Sequence, residues 1–275
     1  SFGQWKASHD VIRSLATLAW RGRRADLFRR ELIFALKLLE DRIVARPQMR
    51  GSWAGAMGLT QFMPSEFYDT AQALSPGRKP DLFGSVDDAL ASAANQLKVK
   101  GWKPGMPWGL EVKLPPSVSC AQEGVPGQKP LRDWLKTGIA PIGNRPVPEA
   151  WLDQPVFLLA PAGTNGPVFL AFENFLVLKA YNFADLYALF VGNLADRIAG
   201  RPDFATPWAD LKMLSTAELE TVQTGLKAAG EPIEKIDGKA GMNTRSSIGR
   251  FQARSGLRVD CWPTRDLLER LKAKR

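Results

Sequence analysis

Histidine is almost missing from this chain: His9 is the single one among 275 residues. Histidine-ligated metal sites and histidine-based catalytic triads both draw on imidazole, so with His9 alone neither is expected. Cysteine is nearly as scarce, and Cys120 and Cys261 match no metal-ligand spacing. No apolar run approaches the ~20 residues that a membrane-spanning helix requires. There is no longer-period repeat and no low-complexity tract. Chemistry on this chain must therefore run on carboxylates, amides and hydroxyls.

The charge balance is strongly one-sided, with 37 Lys and Arg against 28 Asp and Glu and a formal charge of +9. Such a surface favours acidic partners, whether nucleic acid, an anionic membrane or an anionic polymer. The densest basic group, Arg21, Arg23, Arg24, Arg29 and Arg30, reads as a solvated helix face. No nucleic-acid-binding motif accompanies it, so nucleic acid is not the expected partner. With 45% hydrophobic and 24% charged residues the chain has the composition of a globular protein able to bury a core.

Residues 50–65, Arg-Gly-Ser-Trp-Ala-Gly-Ala-Met-Gly-Leu-Thr-Gln-Phe-Met-Pro-Ser, are too glycine-rich for a helix interior and too irregular for a strand. They predict a tight, ordered loop with close backbone approach, either a functional loop or a plain crossover between helices. Before it, Asp10 caps a helix running to about Trp20, and a second helix covers residues 25–39. On that helix Leu27, Glu31, Phe34 and Leu38 share one face. Glu31 is thus either a stripe-edge carboxylate reaching water or an arginine, or a buried, hydrogen-bonded acid lining a site. Ser65 opens a third helix, and Ser85 with Asp88 opens a fourth that stops at Gly101.

From Trp102 to about Asn182 the prolines and glycines multiply. Residues 156–159 and 168–172 read as a hairpin with a long loop, in a sheet-containing lobe of about residues 103–180. Helix returns at residues 184–199. Ser215 and Glu218 form a capping box, and three short helices follow to the end.

Gly51-Ser52-Trp53-Ala54-Gly55-Ala56-Met57-Gly58 followed by Gln61-Phe62-Met63-Pro64-Ser65 resembles the signature of the lytic murein transglycosylases of the membrane-bound type B family. Residues 11–19 and Arg23-Arg24-Ala25, then Gly101-Trp102, Asn174-Phe175, Tyr181-Asn182 and Tyr187, extend the likeness. Gln223, Ile236-Asp237-Gly238, Thr244-Arg245 and Phe251-Gln252 look like the peptidoglycan-binding module often fused to these enzymes. The resemblance implies a mainly α, lysozyme-like domain over residues 1–200 with a small β-containing lobe. A linker at 201–210 and a three-helix peptidoglycan-binding domain at 211–275 would complete it.

It further implies non-hydrolytic cleavage of the MurNAc–GlcNAc β-1,4 bond to leave 1,6-anhydro-MurNAc ends, with no metal or organic cofactor. A single glutamate would act first as acid and then as base toward the sugar's own C6 hydroxyl, unlike the two-carboxylate glycosidases. Ser52 and Gln61 match polar contacts in the glycan groove, Met57 and Phe62 its floor. Tyr181, Asn182 and Tyr187 match sugar-recognition positions, where rings stack on pyranose faces and amides hold N-acetyl groups. The expected partners are peptidoglycan glycan strands, with other cell-wall enzymes as an open option. The resemblance suits a monomeric, periplasmic protein, and it leaves a lipid anchor open.

The likeness departs in places. The catalytic glutamate would stand two residues before Ser1, leaving Ser1-Phe2-Gly3 as the rest of its motif. Glu31 matches a different acidic position, one that supports the site. Residues 75–80 replace an aspartate-rich, calcium-binding-like loop with few oxygen ligands, so no calcium is expected there. Gln96 replaces a groove tyrosine, and Ala184 a small hydroxyl residue. The alternative function is a catalytically inactive wall-binding protein. An oxidising periplasm would let Cys120 and Cys261 pair. Their separation makes two free thiols an equal expectation.

Overall fold

The computed structural model describes residues 7–144 and 146–273. It divides into two units, Ser1–Gly101 and Trp102–Arg275.

The first unit is helical. Strand β1 (His9–Asp10) pairs with β2 (Arg50–Gly51), and between them run α1 (Val11–Arg21) and α2 (Ala25–Glu40). Asp10 caps α1 by accepting from the Arg13 N–H at 2.9 Å, and Arg46 holds the same carboxylate at 2.7 Å. Val11 and Leu15 of α1, with Ala35 and Leu38 of α2, are fully buried, the narrow apolar stripe expected of packed amphipathic helices. Helices α3 (Pro64–Thr70) and α4 (Val86–Val99) complete this unit, α4 being capped by Ser85, whose Oγ accepts from the Asp88 N–H.

The second unit is built on an antiparallel sheet. Strand β3 is Gly109–Lys113, β4 Lys129–Pro130, β5 Ala140–Pro141, β6 Pro155–Leu159 and β7 Val168–Ala171, in the order β4-β6-β7-β3-β5. The predicted hairpin forms with Leu158 opposite Leu170. Val156, Leu158 and Leu170 face a core with Trp134, Leu131 and both cysteines. Phe157 and Phe169 face the other way, against Phe175 and Trp108. Both faces are covered, which explains why β6 and β7 read as continuous apolar runs rather than alternating ones.

Short helices α5 (Leu131–Leu135) and α6 (Glu149–Leu152) flank the sheet, and α7 (Glu173–Tyr181) and α8 (Asp185–Ile198) follow it with a 113° bend between them. Gly192 of α8 lies so close to the Trp108 ring that a Cβ would come within 2.7 Å of it. The Trp108 indole N–H also donates to Asp196 on α8 at 2.8 Å.

Helices α9 (Thr216–Ala228), α10 (Met242–Arg254) and α11 (Arg265–Ala273) enclose their own core of Val222, Leu226, Ile248, Leu268 and Leu271. The capping box read from Ser215 and Glu218 is present. Gln223 accepts from the Asp237 and Gly238 amides at 2.9 Å and donates to Thr244 Oγ1. Gln252 holds the amides of Asp260 and Cys261 in the same manner. The residues that carried the resemblance in this segment thus serve its folding.

Two features of this unit go beyond the sequence reading. Cys120 and Cys261 form a disulfide across a separation of 141 residues, which settles the open choice between a pair and two free thiols. The segment around residues 201–210, expected as a linker, is tied down. Glu111 accepts from the Ala205 and Thr206 amides at 2.9 and 2.8 Å, and the Ala209 N–H donates to the Asn165 carbonyl. Phe204 packs edge-on against Phe169, with centroids 5.0 Å apart.

Candidate functional site

The expected site residues fall into two clusters, one in each unit. In the first unit, residues 51–62 fold as a compact knot. Met57 bridges to both Gly51 and Phe62, and the Met57 and Phe62 amides exchange hydrogen bonds with each other's carbonyls at 2.9 and 3.1 Å. Glycine is required here by geometry. A Cβ at Gly51 would sit 2.2 Å from the Ala56 carbonyl oxygen, and Gly55 has φ +91° with Leu15 directly beneath it.

Met57 and Phe62 are 1% and 0% exposed, so they support the surface from below and do not line it. Ser52 Oγ accepts from the Ala54 and Ala56 amides at 3.3 and 3.1 Å and so organises the loop. Gln61 is exposed and takes the left-handed conformation (φ +54°), its amide donating to the Gly58 carbonyl at 2.9 Å. A residue of the motif that the sequence reading gave no role stands between them: Trp53 is 65% exposed. A tryptophan in a glycine-rich turn, outside any helical stripe, is the signal that would have found it.

Glu31 supports this cluster. It is buried, and its carboxylate accepts from the Ser65 N–H at 2.9 Å and the Ser65 hydroxyl at 2.8 Å. Glu31 is thus a buried, hydrogen-bonded acid, and it also has the arginine neighbour of the other reading, Arg30 Nε at 3.7 Å. Both oxygens hold the start of α3, at the far end of the glycine-rich stretch.

Elsewhere in this unit Asp88 accepts from the Asp81 and Leu74 amides and from Arg78 at 2.5 Å. These donors, the Asp81 amide foremost, hold its carboxyl below the usual aspartate range. Gln96 is buried and donates to Glu66 at 2.6 Å. Among the described residues no cluster of His, Cys, Asp and Glu gathers as metal ligands.

In the second unit the cluster is the corner between α7 and α8. Tyr181 ends α7 and Tyr187 lies in the first turns of α8, with their rings stacked at 6.4 Å and 22°. Both are half-buried, and burial pushes the Tyr187 phenol above its ordinary value, so it stays protonated at neutral pH. Asn182 is exposed and its Oδ1 accepts from the Ala184 N–H at 3.1 Å. Phe183 beside it is 82% exposed. Ala184 offers no capping side chain, so the corner relies on its neighbours: Lys179 of α7 pairs with Asp185 of α8 at 2.5 Å.

A cavity of about 640 Å³ in the second unit is lined by Val112, Leu114, Val118, Ile142 and Val259, beside the disulfide. It holds none of the expected site residues. The Ser1-Phe2-Gly3 remnant of the expected catalytic motif lies outside the described residues.

The family described as Transglycosylase SLT domain matches residues 1–196, and that of a peptidoglycan binding domain matches residues 215–271. The membrane-bound lytic murein transglycosylase B of Escherichia coli is 30% identical over 203 residues, 69% of this chain and 51% of its own. The chain therefore spans about half the length of that curated relative.

Crystal structures of SltB3 from Pseudomonas aeruginosa, with NAG-NAM-pentapeptide and with NAG-anhNAM-pentapeptide, superpose with a TM-score of 0.89 at 40% identity. They cover 98% of this chain and 72% of theirs. The Escherichia coli lytic transglycosylase Slt35 in complex with calcium is similar over 72% of this chain and 62% of its own, at 28% identity and a TM-score of 0.61.

Proposed function

The chain belongs to the transglycosylase SLT family, and on that footing we propose that it acts as a lytic murein transglycosylase. It cleaves the MurNAc–GlcNAc β-1,4 bond of peptidoglycan without water and leaves 1,6-anhydro-MurNAc ends. The observation that carries this reading is the likeness over 98% of the chain to a protein crystallised with both NAG-NAM-pentapeptide and NAG-anhNAM-pentapeptide. That pair of ligands differs by the ring closure that distinguishes lytic cleavage from hydrolysis.

In this reading residues 1–200 are the catalytic domain and residues 211–275 bind the wall. Cleavage requires a glutamate, acting first as acid and then as base, at the position that the family pattern sets two residues before Ser1. Tyr181 and Tyr187 present ring faces and hydroxyls to the sugars, and Asn182 offers an amide to their N-acetyl groups. In the first unit, Gln61 and Ser52 of the glycine-rich knot are polar contacts for glycan, and Trp53 adds an exposed ring. Glu31 fixes the end of that knot and takes no proton from substrate. The positive charge favours retention on an anionic wall. The compartment that supplies this substrate is the periplasm.

The test is digestion of purified sacculi by the polypeptide extended upstream of Ser1, with products read by mass spectrometry. Anhydro-muropeptides are the expected products. Reducing ends would replace the lytic mechanism with hydrolysis, and sacculus binding without any cleavage would leave only a wall-binding role.

A further inference from the structure

The corner that carries Tyr181 and Tyr187 has a third support, and it comes from far along the chain. Arg245, in the first turns of α10, is 3% exposed and reaches three carbonyl or carboxylate partners. Its Nε and Nη2 donate to the Glu123 carboxylate at 2.9 and 2.5 Å, Nη1 donates to the Ala240 carbonyl, and Nη2 also donates to Asp185 at 3.1 Å. Glu123 in turn accepts from the Ala160 N–H, at the end of β6. Burial works against the charge on Arg245, but Glu123 and Asp185 outweigh it and hold the guanidinium above its ordinary pKa.

Asp185 is therefore shared. One oxygen faces Lys179 of α7 and the other faces Arg245, and the residue itself opens α8. Its side chain is 8% exposed, so both pairs act with little screening by water. Buried ion networks contribute little net stability once desolvation is counted, while their directional bonds restrict geometry. Ala184 leaves α8 without a capping side chain, which makes the orientation of its first turn depend on these charges.

We propose that Arg245 is a positioning residue for the glycan site: through Asp185 it fixes the α7–α8 corner and the stacked Tyr181–Tyr187 pair. The inference rests on the assignment of those tyrosines to sugar binding. It makes the C-terminal module part of the binding surface's geometry and not only a second point of wall attachment.

Calorimetric titration of a soluble GlcNAc–MurNAc tetrasaccharide into the full chain tests it, since binding does not require the catalytic acid. Tyr181→Ala is expected to weaken binding about tenfold, the loss of one aromatic contact. Asp185→Asn keeps the Arg245–Glu123 pair, and Arg245→Lys keeps the Lys179–Asp185 pair. Each is expected to weaken binding by about three- to tenfold. Glu231→Gln, which loses the pairs with Arg250 and Arg254 away from the corner, should lower the melting temperature and leave the affinity unchanged.

If Tyr181→Ala loses affinity while Asp185→Asn and Arg245→Lys bind like the parent, the positioning role is refuted and the glycan site stands. If the parent itself does not bind the tetrasaccharide, the glycan assignment falls and the positioning role with it. If Glu231→Gln loses affinity in step with its stability, the effect is structural and the proposal also fails.

Discussion

Removing the Cys120–Cys261 bond should destabilise the second unit, because it opens a loop of 141 residues. The perturbation is the double variant Cys120→Ala, Cys261→Ala, chosen because both sulfurs sit in an apolar core at 1% and 0% exposure. A serine there would add a hydroxyl without an assigned partner. The bond closes a loop of 141 residues, for which the chain-entropy relation gives about 5 kcal/mol. Residual structure in the open unfolded chain and the lost sulfur contacts pull in opposite directions, and about 2–4 kcal/mol is the expected net loss.

For a unit of this size each kcal/mol moves the melting temperature by about 2–4 °C, so a fall of about 5–15 °C is expected. Differential scanning calorimetry of the parent, the double variant and the parent with reductant measures it. Thiol titration in denaturant before reduction should find no free cysteine. A double variant melting within about 1 °C of the oxidised parent would refute the argument, because the crosslink would then constrain nothing that the fold does not already hold.

Glu31→Ala leaves the Ser65 amide and hydroxyl without their acceptor, and an expected loss of about 2–4 kcal/mol would appear in urea denaturation of the first unit. Gly55→Ala places a Cβ 2.4 Å from Leu15 at φ +91°, so a loss of about 2 kcal/mol or more is expected in the same assay. Asp88 has a depressed pKa in the fold against about 3.9 unfolded. Its contribution is thus complete above that value and drains away as the pH falls toward the folded pKa. The stability gap between the parent and Asp88→Asn should accordingly narrow as the pH falls below about 4, and a gap that stays constant would show that the carboxylate is not the stabilising form.

Local signals carried most of the helical architecture. Asp10, Ser85 and Ser215 each cap the helix that their spacing predicted, because a capping side chain is read within three or four residues. The β6–β7 hairpin was legible for a related reason: two apolar runs and a glycine-containing loop suffice to pair neighbours. Long-range pairings left no such trace. Cys120 and Cys261 carry no spacing that distinguishes a bond from two thiols, and Arg245 and Asp185 are 60 residues apart with no shared periodicity. Phe204 and Trp208 were a missed clue, since a free linker has little use for aromatic rings.

At the candidate site, sequence located the loop and the tyrosine corner, but not the exposure of each side chain. Met57 and Phe62 proved to be buried supports, and Trp53 proved to be the exposed ring. Glu31 turned on the same unknown. Its place in an apolar stripe was readable, whereas the Ser65 donors that satisfy it were not.

The anchoring of residues 205–209 on Glu111 and Asn165 changes how two binding surfaces on one chain would combine. A flexible tether lets the second surface find its ligand anywhere within a radius set by chain statistics, with an effective concentration that falls as the tether lengthens. A docked segment backed by a crosslink removes that search volume. The spacing between the tyrosine corner and the helical module becomes a fixed length, like the distance between two pegs.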